Sequence, residues 1–153
     1  MTTLPANDDA VVKLRQVYAS DGVRAAVVFL NSTTVHRFTS LYRFDGGTLR
    51  NITFYDRQNP HAEKCDDIPV EASYCVFVRD LHSAFLVSDA PEDDRVEGHA
   101  NRATVKRYCG VPLRDRDGKM FGSICHFDLS PGPISDRDVE LLEHMASLLR
   151  PTF

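Results

Sequence analysis

An α+β fold, with an antiparallel sheet between helices as a three-layer sandwich, is predicted by three observations. Residues 107–128, RYCGVPLRDRDGKMFGSICHFD, read as two apolar runs around Asp115-Arg116-Asp117-Gly118. An Asp-Gly pair favours the positive φ angles of a tight hairpin turn. Neither run alternates between apolar and polar residues, so strands covered on both faces are expected at the centre of the sheet. Apolar stripes at helical spacing stand near the two ends of the chain: Val23, Ala26, Val27 and Leu30, then Leu141, Leu142, Met145, Leu148 and Leu149. Hairpins flanked by such helices give layered α+β architectures.

The elements follow in order. Asn7-Asp8-Asp9 can cap a helix carrying Val11, Leu14 and Tyr18. Ser20-Asp21-Gly22 interrupts it, so residues 1–35 hold two helices or one kinked at Gly22. Residues 36–44 and 48–56 form a first hairpin around Asp45-Gly46-Gly47. Period two places Phe38, Tyr42 and Phe44 on one of its faces, and Arg37, Thr39 and Arg43 on the other. A loop spans 57–68. Pro69 is expected to open a helix bearing Ala72, Cys75 and Val76, because its missing N–H is harmless there. Residues 84–87 form a short strand, 88–98 an acidic segment with one helical turn, and 99–106 a linker or short helix. After the central hairpin, Ser130-Pro131-Gly132-Pro133 breaks regular structure. Ser135 and Asp138 form a capping-box-like pair before the last helix, 135–150, and Pro151 stops it. The segments 36–128 thus carry the sheet and whatever pocket it encloses, and 1–153 is read as one domain.

The totals exclude several functions. At 153 residues the chain can bury one real core. A net charge of -4 argues against nucleic acid and against an anionic membrane surface. No run approaches the roughly 18 apolar residues of a membrane helix, and MTTLPANDDA lacks the basic and apolar regions of an export signal. A cytoplasmic location is therefore expected. The four cysteines, Cys65, Cys75, Cys109 and Cys125, are expected as free thiols.

Nearly the whole chain resembles the GAF domain family. The strongest stretch begins at Ser73. It contains VSDAPEDDRV, YCGVPLRDRDGKMFGSICHFD and ISDRDVELLEHMASLL in the order that recurs in bacterial GAF modules. The resemblance implies a PAS-related sheet with the terminal helices on one face and a ligand pocket on the other. It implies a stand-alone bacterial sensory module in signal transduction, with a small-molecule ligand and no specified cofactor. With no output domain on the chain, a signal is expected to pass through a homodimer or a separate signalling protein. Pairing through the terminal helices, along Val11, Leu14 and Tyr18 and the last-helix stripe, is the expected homodimer. The competing expectation is that both stripes are spent on the chain's own sheet, leaving Glu140, Glu143 and Arg150 outside. A pure dimerisation module with a filled pocket is a further alternative. Matching positions in ligand-binding relatives, combined with strand alternation, point to Cys75, Tyr108, Ser123, Cys125 and Phe127 as the pocket border.

The chemistry-bearing residues give weaker signals. Cys125 and His126 are adjacent on a strand, so they point to opposite faces; the Cys-His pair of bilin-attaching GAF modules lies on a helical segment instead. A three-residue turn at Arg116-Asp117-Gly118 sets Cys109 opposite Cys125, a two-residue turn sets it opposite His126, and Pro112 can add a bulge. Packed thiols are favoured over a redox pair, since free cysteine behaves as a small hydrophobe. One GAF branch, the free methionine-R-sulfoxide reductases, uses cysteines for catalysis, and Cys65-Asp66-Asp67-Ile68-Pro69 up to Cys75 resembles it. That resemblance makes a thiol-dependent reductase the alternative function. The branch's nucleophile is lacking after Gly98-His99, and its acids are replaced by Tyr108, Cys125 and Phe127, so no catalytic residue is assigned. His61, Cys65, His82 and His99 lack metal-ligand spacing, and surface histidines are expected. The acidic residues Asp89, Glu92, Asp93, Asp94 and Glu97 read as a solvated face. The cyclic-nucleotide pattern of the family is not recognisable.

Overall fold

The computed structural model describes residues 4–150. Pro151, expected to stop the last helix, lies outside them. Helix α1 (Asp9–Ser32) is capped by the Asp8 carboxylate, which accepts the N–H groups of Ala10 and Val11. It is two helical segments joined at Gly22, where φ is 89°. That left-handed backbone suits glycine, which has no Cβ to clash.

The six strands are β1 (Phe38–Asp45), β2 (Thr48–Asp56), β3 (Ile68–Pro69), β4 (Phe85–Val87), β5 (Arg107–Arg114) and β6 (Met120–Asp128). They form one sheet in the order β3-β2-β1-β6-β5-β4, and every pairing is antiparallel. Helices α2 (Cys75–Leu81) and α3 (Asp136–Leu149) complete the fold. The Ser135 hydroxyl and the Asp138 carboxylate form a capping box at the start of α3.

Side chains alternate between two cores, as the pleat requires. Leu41, Cys109, Val111, Leu113 and Ile124 pack against α1 and α3 with Leu14, Leu30, Leu142 and Met145. Tyr42, Leu49, Phe85, Val87, Tyr108 and Cys125 face the other way, against Val70, Tyr74, Cys75, Val78 and Val96. The sheet is thus the middle of three layers, and the expected α+β class holds. The stripe on α3 is largely consumed here: Leu141, Leu142, Met145 and Leu149 are buried within the chain itself. Glu140, expected on the outer face, is buried as well.

One local expectation is corrected, and one set of alternatives is resolved. Pro69 does not open a helix; it pairs with Thr48 on the edge strand β3, where a missing N–H costs no ladder bond. A 3-10 turn follows (Val70–Ala72), and α2 starts only at Cys75, whose N–H is accepted by the Ser73 hydroxyl. In the central hairpin the turn does pair Asp115 with Lys119. Phe121 is then an extra residue on β6, so Leu113 pairs with Gly122 while Arg114 pairs with Met120. This bulge, which lets Phe121 pack against the helix-face core, sets Cys109 opposite His126 and Gly110 opposite Cys125. Cys109 and Cys125 end on opposite faces of the sheet.

Candidate ligand cavity

The face of the sheet away from the terminal helices is covered by one seven-residue helix, α2, and by loops. This cover is too short to fill the concave surface over β1 and β6. A half-open cavity of about 430 Å³ results. Its floor comes from the strands: Phe38 and Tyr42 of β1, Phe54 of β2, Tyr108 of β5, and Cys125 and Phe127 of β6. Its roof comes from Cys65, Asp66, Ile68, Ala72, Ser73 and Tyr74, with Asn101 and Val105 at the far side.

The roof is held by bonds across long loops. Asn51 of β2 accepts the Cys65 N–H at 3.1 Å, and Asp67 accepts the Asn51 N–H at 2.9 Å. The Tyr42 hydroxyl and the Cys65 thiol share a contact of 3.3 Å. His99 accepts the Asn101 N–H on Nδ1 at 3.0 Å, so Nε2 carries the proton and donates to the Ser73 carbonyl at 3.2 Å. The Tyr74 hydroxyl donates to the Val105 carbonyl at 2.9 Å. His99 is thus a half-buried structural residue rather than the surface histidine expected, whereas His61 and His82 are exposed.

Three rings make an aromatic wall. Phe38 stacks on Phe127 with centroids 4.7 Å apart and on Phe54 at 5.7 Å. Opposite, Tyr74 meets Tyr108 edge to face at 5.6 Å. The Tyr108 ring lies over Gly110, where a Cβ would collide with it; glycine at that position lets the hydroxyl reach inward.

Of the five residues expected at the border, Tyr108, Cys125 and Phe127 line the cavity. Cys75 and Ser123 lie one layer beneath, both fully buried. The Cys75 sulfur there receives the Ser123 hydroxyl at 3.0 Å and contacts the Tyr108 hydroxyl at 3.2 Å. Burial pushes the Cys75 thiol up, but hydrogen bonds from Cys125, Ser123, Ser73 and Tyr108 together outweigh it and draw it down to about 6. Burial, then the neighbouring Cys75, pushes Cys125 well above the usual thiol range. Burial also raises Cys65 and Tyr108. All four cysteines are free.

Of the remaining lining residues, Cys65, Asp66 and Ile68 stand out in sequence only for their likeness to the reductase cysteines, and the others are not singled out as pocket residues. Period-two alternation already set Phe38 and Tyr42 on one face, which was the available signal for two of them. Asp66, Ser73, Asn101 and Val105 sit in segments without periodicity. Asp66 is the one charged side chain among the described lining residues. Among the described residues no group of three or more His, Cys, Asp or Glu is placed to hold a metal ion, and no helix is long and apolar enough to cross a membrane.

A profile of the GAF domain family matches residues 8–150. A cyclic di-GMP phosphodiesterase of Pseudomonas aeruginosa is 34% identical over 85 residues, which is 53% of this chain and 14% of that protein. The chain therefore spans about one seventh of the length of that relative. Among solved structures, the free methionine-R-sulfoxide reductase of Neisseria meningitidis, in complex with its substrate, superposes with a TM-score of 0.73 at 18% identity, covering 100% of this chain and 95% of that one. The phycocyanobilin-bound GAF domain of a cyanobacterial phytochrome gives 0.72 at 14% identity, covering 95% and 94%. At such identities the likeness establishes the fold.

Proposed function

We propose that this chain, which belongs to the GAF domain family, is a sensory module that binds a small molecule in the cavity over β1, β5 and β6 and passes the signal to a partner. The observation that carries this reading is the cavity itself. A volume of about 430 Å³ falls within the 300–1,000 Å³ typical of ligand pockets, and an apolar wall with few polar groups is their usual character. Tyr108, Cys125 and Phe127 contact the ligand in this reading, while Cys75 and Ser123 set the position of the Tyr108 hydroxyl from below. The phosphodiesterase relative supports a signalling context.

The reductase reading is not adopted. No cysteine follows Gly98-His99 before Thr104, and the positions at which that branch carries acids, Tyr108, Cys125 and Phe127, form an uncharged part of the wall. Native mass spectrometry of the protein isolated under mild conditions tests both points. The expected result is a non-covalent adduct released on denaturation, with free methionine sulfoxide left unconsumed in the presence of a thiol reductant. A bare protein mass in every preparation, or reductant-dependent loss of the sulfoxide abolished by Cys65→Ser, would overturn the reading.

A homodimer through the outer surfaces of α1 and α3 is the proposed route of output in the cytoplasm, toward a separate signalling protein. The half-buried Tyr18 and Leu148 on these helices are its apolar contribution, and isologous pairing is the commonest closed arrangement. Light scattering should give a mass near twice 17.2 kDa, reduced by Leu148→Glu. A monomeric mass across the micromolar range rejects the dimer.

A further inference from the structure

The lining of the cavity restricts what can enter it, and this inference rests on the ligand-site reading above. We propose that the ligand is a planar aromatic or heteroaromatic compound that is neutral or cationic, stacked on the Phe38, Phe54 and Phe127 wall with any amino group toward Asp66.

Ring stacking comes first. Phe38 and Phe127 are stacked and nearly parallel, at 17°, and Phe38 and Phe54 are stacked at 27°. Phe38 is thus the middle of a three-ring stack whose end members, Phe54 and Phe127, are only half-buried. A flat ligand extends this stack on a half-buried end ring, or meets the ring edges, in the offset and edge-to-face geometries that aromatic pairs prefer. A flexible aliphatic ligand would bury less area for each rotor it freezes.

Charge comes second. A phosphate or carboxylate entering an apolar cavity must exchange its hydration for cationic or N–H partners. No lysine or arginine is among the lining residues, and Asp66 adds a negative charge at the mouth. The Arg37 guanidinium lies 4.6 Å over the Phe38 ring, but Asp56 already binds it through two hydrogen bonds of 2.8 and 3.0 Å, and Arg102, next to Asn101, donates to the Ala90 and Pro91 carbonyls at 3.0 Å. Arg24 and Lys64 face a separate groove with Val23 and Ile52. Phosphodiesters such as cyclic di-GMP therefore meet no cationic side chain in the lining, whereas a ligand ammonium gains both Asp66 and the aromatic rings. Ser73 and Asn101 are left to match one or two polar atoms of the ring system.

A series with one ring and three charges tests this: indole, tryptamine and indole-3-acetate, each titrated into the full chain and followed by amide chemical shifts and calorimetry. Indole and tryptamine should shift residues around Tyr108, Asn101 and Phe127, with indole-3-acetate at least about tenfold weaker than indole. Asp66→Asn should bring tryptamine to the level of indole and leave indole unchanged, which separates a charge effect from misfolding. Indole-3-acetate binding as tightly as indole, or cyclic di-GMP shifting the same residues at micromolar concentration, would overturn the proposal. So would failure of all three rings at millimolar concentration. An anionic or aliphatic adduct in native mass spectrometry would overturn the ligand class while leaving the ligand site standing; rejection of every probe together with no adduct would remove both.

Discussion

The two faces of the sheet use the same strands for opposite ends. Over the helix face, α1 and α3 together supply 38 residues of helix, and Leu14, Leu30, Leu142 and Met145 reach full burial. Over the cavity face a single seven-residue helix and loops leave about 430 Å³ unfilled. Strand β6 shows the division residue by residue. Ile124 joins the helix-face core, Cys125 opens to the cavity, His126 returns to the helix side, and Phe127 stacks in the cavity wall. The helix-face core and the cavity lining are thus carried by alternate residues of one strand, so a change in the cavity lining need not disturb the packing beneath the helices.

The largest expected effect tests that division directly. Leu142 is fully buried among α1, α3 and the sheet, so Leu142→Ala should cost about 3 kcal/mol, as cavity-forming substitutions in close-packed cores do. Phe54, half-buried against open space, loses fewer contacts on truncation. Phe54→Ala should cost about 1 kcal/mol despite removing the larger side chain. Urea unfolding at neutral pH measures both. Equal costs would show that the cavity face is as tightly packed as the other, and the distinction between the faces would fail.

Legibility in the sequence divides along a similar line. The central hairpin, the Gly22 break and the Ser135–Asp138 cap were readable because each rests on residues a few positions apart. The Phe121 bulge was not, because it depends on what Phe121 packs against rather than on the turn residues. Pro69 was misread because helix N1 and a sheet edge tolerate a missing N–H equally well. The cavity roof was hidden for a related reason: Cys65 is placed by Asn51, and Ser73 by His99, and loops positioned from a distance carry no periodicity. The buried pair of His36 and Asp138 spans 102 residues of chain, and nothing local announces it.

That pair belongs to a chain of buried polar side chains on the helix face. His36 Nε2 meets Asp138 Oδ2 at 3.0 Å, and the His36 ring stacks on His126 at 5.4 Å. His126 Nδ1 meets the Thr39 hydroxyl at 2.7 Å, Asn31 donates to Thr39 at 2.9 Å, and Arg57 donates to Asn31. Burial, then the neighbouring His36, draws His126 down from 6.5 to about 3. Between those values the unfolded chain holds a proton that the folded chain refuses, so stability rises with pH through the window and is lost as pH falls. Each unit of pH is worth at most ~1.4 kcal/mol, giving up to about 2 kcal/mol between pH 6.5 and 5. The interval stops at 5 because Asp138, Asp56 and Asp128, all held below the usual carboxylate range, add their own losses only nearer the unfolded value of about 4. His126→Gln should flatten the dependence of the urea midpoint over this interval, whereas Phe127→Leu, one residue along on the other face, should leave its slope as in the parent. An unchanged slope in His126→Gln would show that His126 accepts its proton in the folded state, and an equal loss of slope in both variants would show that the two faces titrate together.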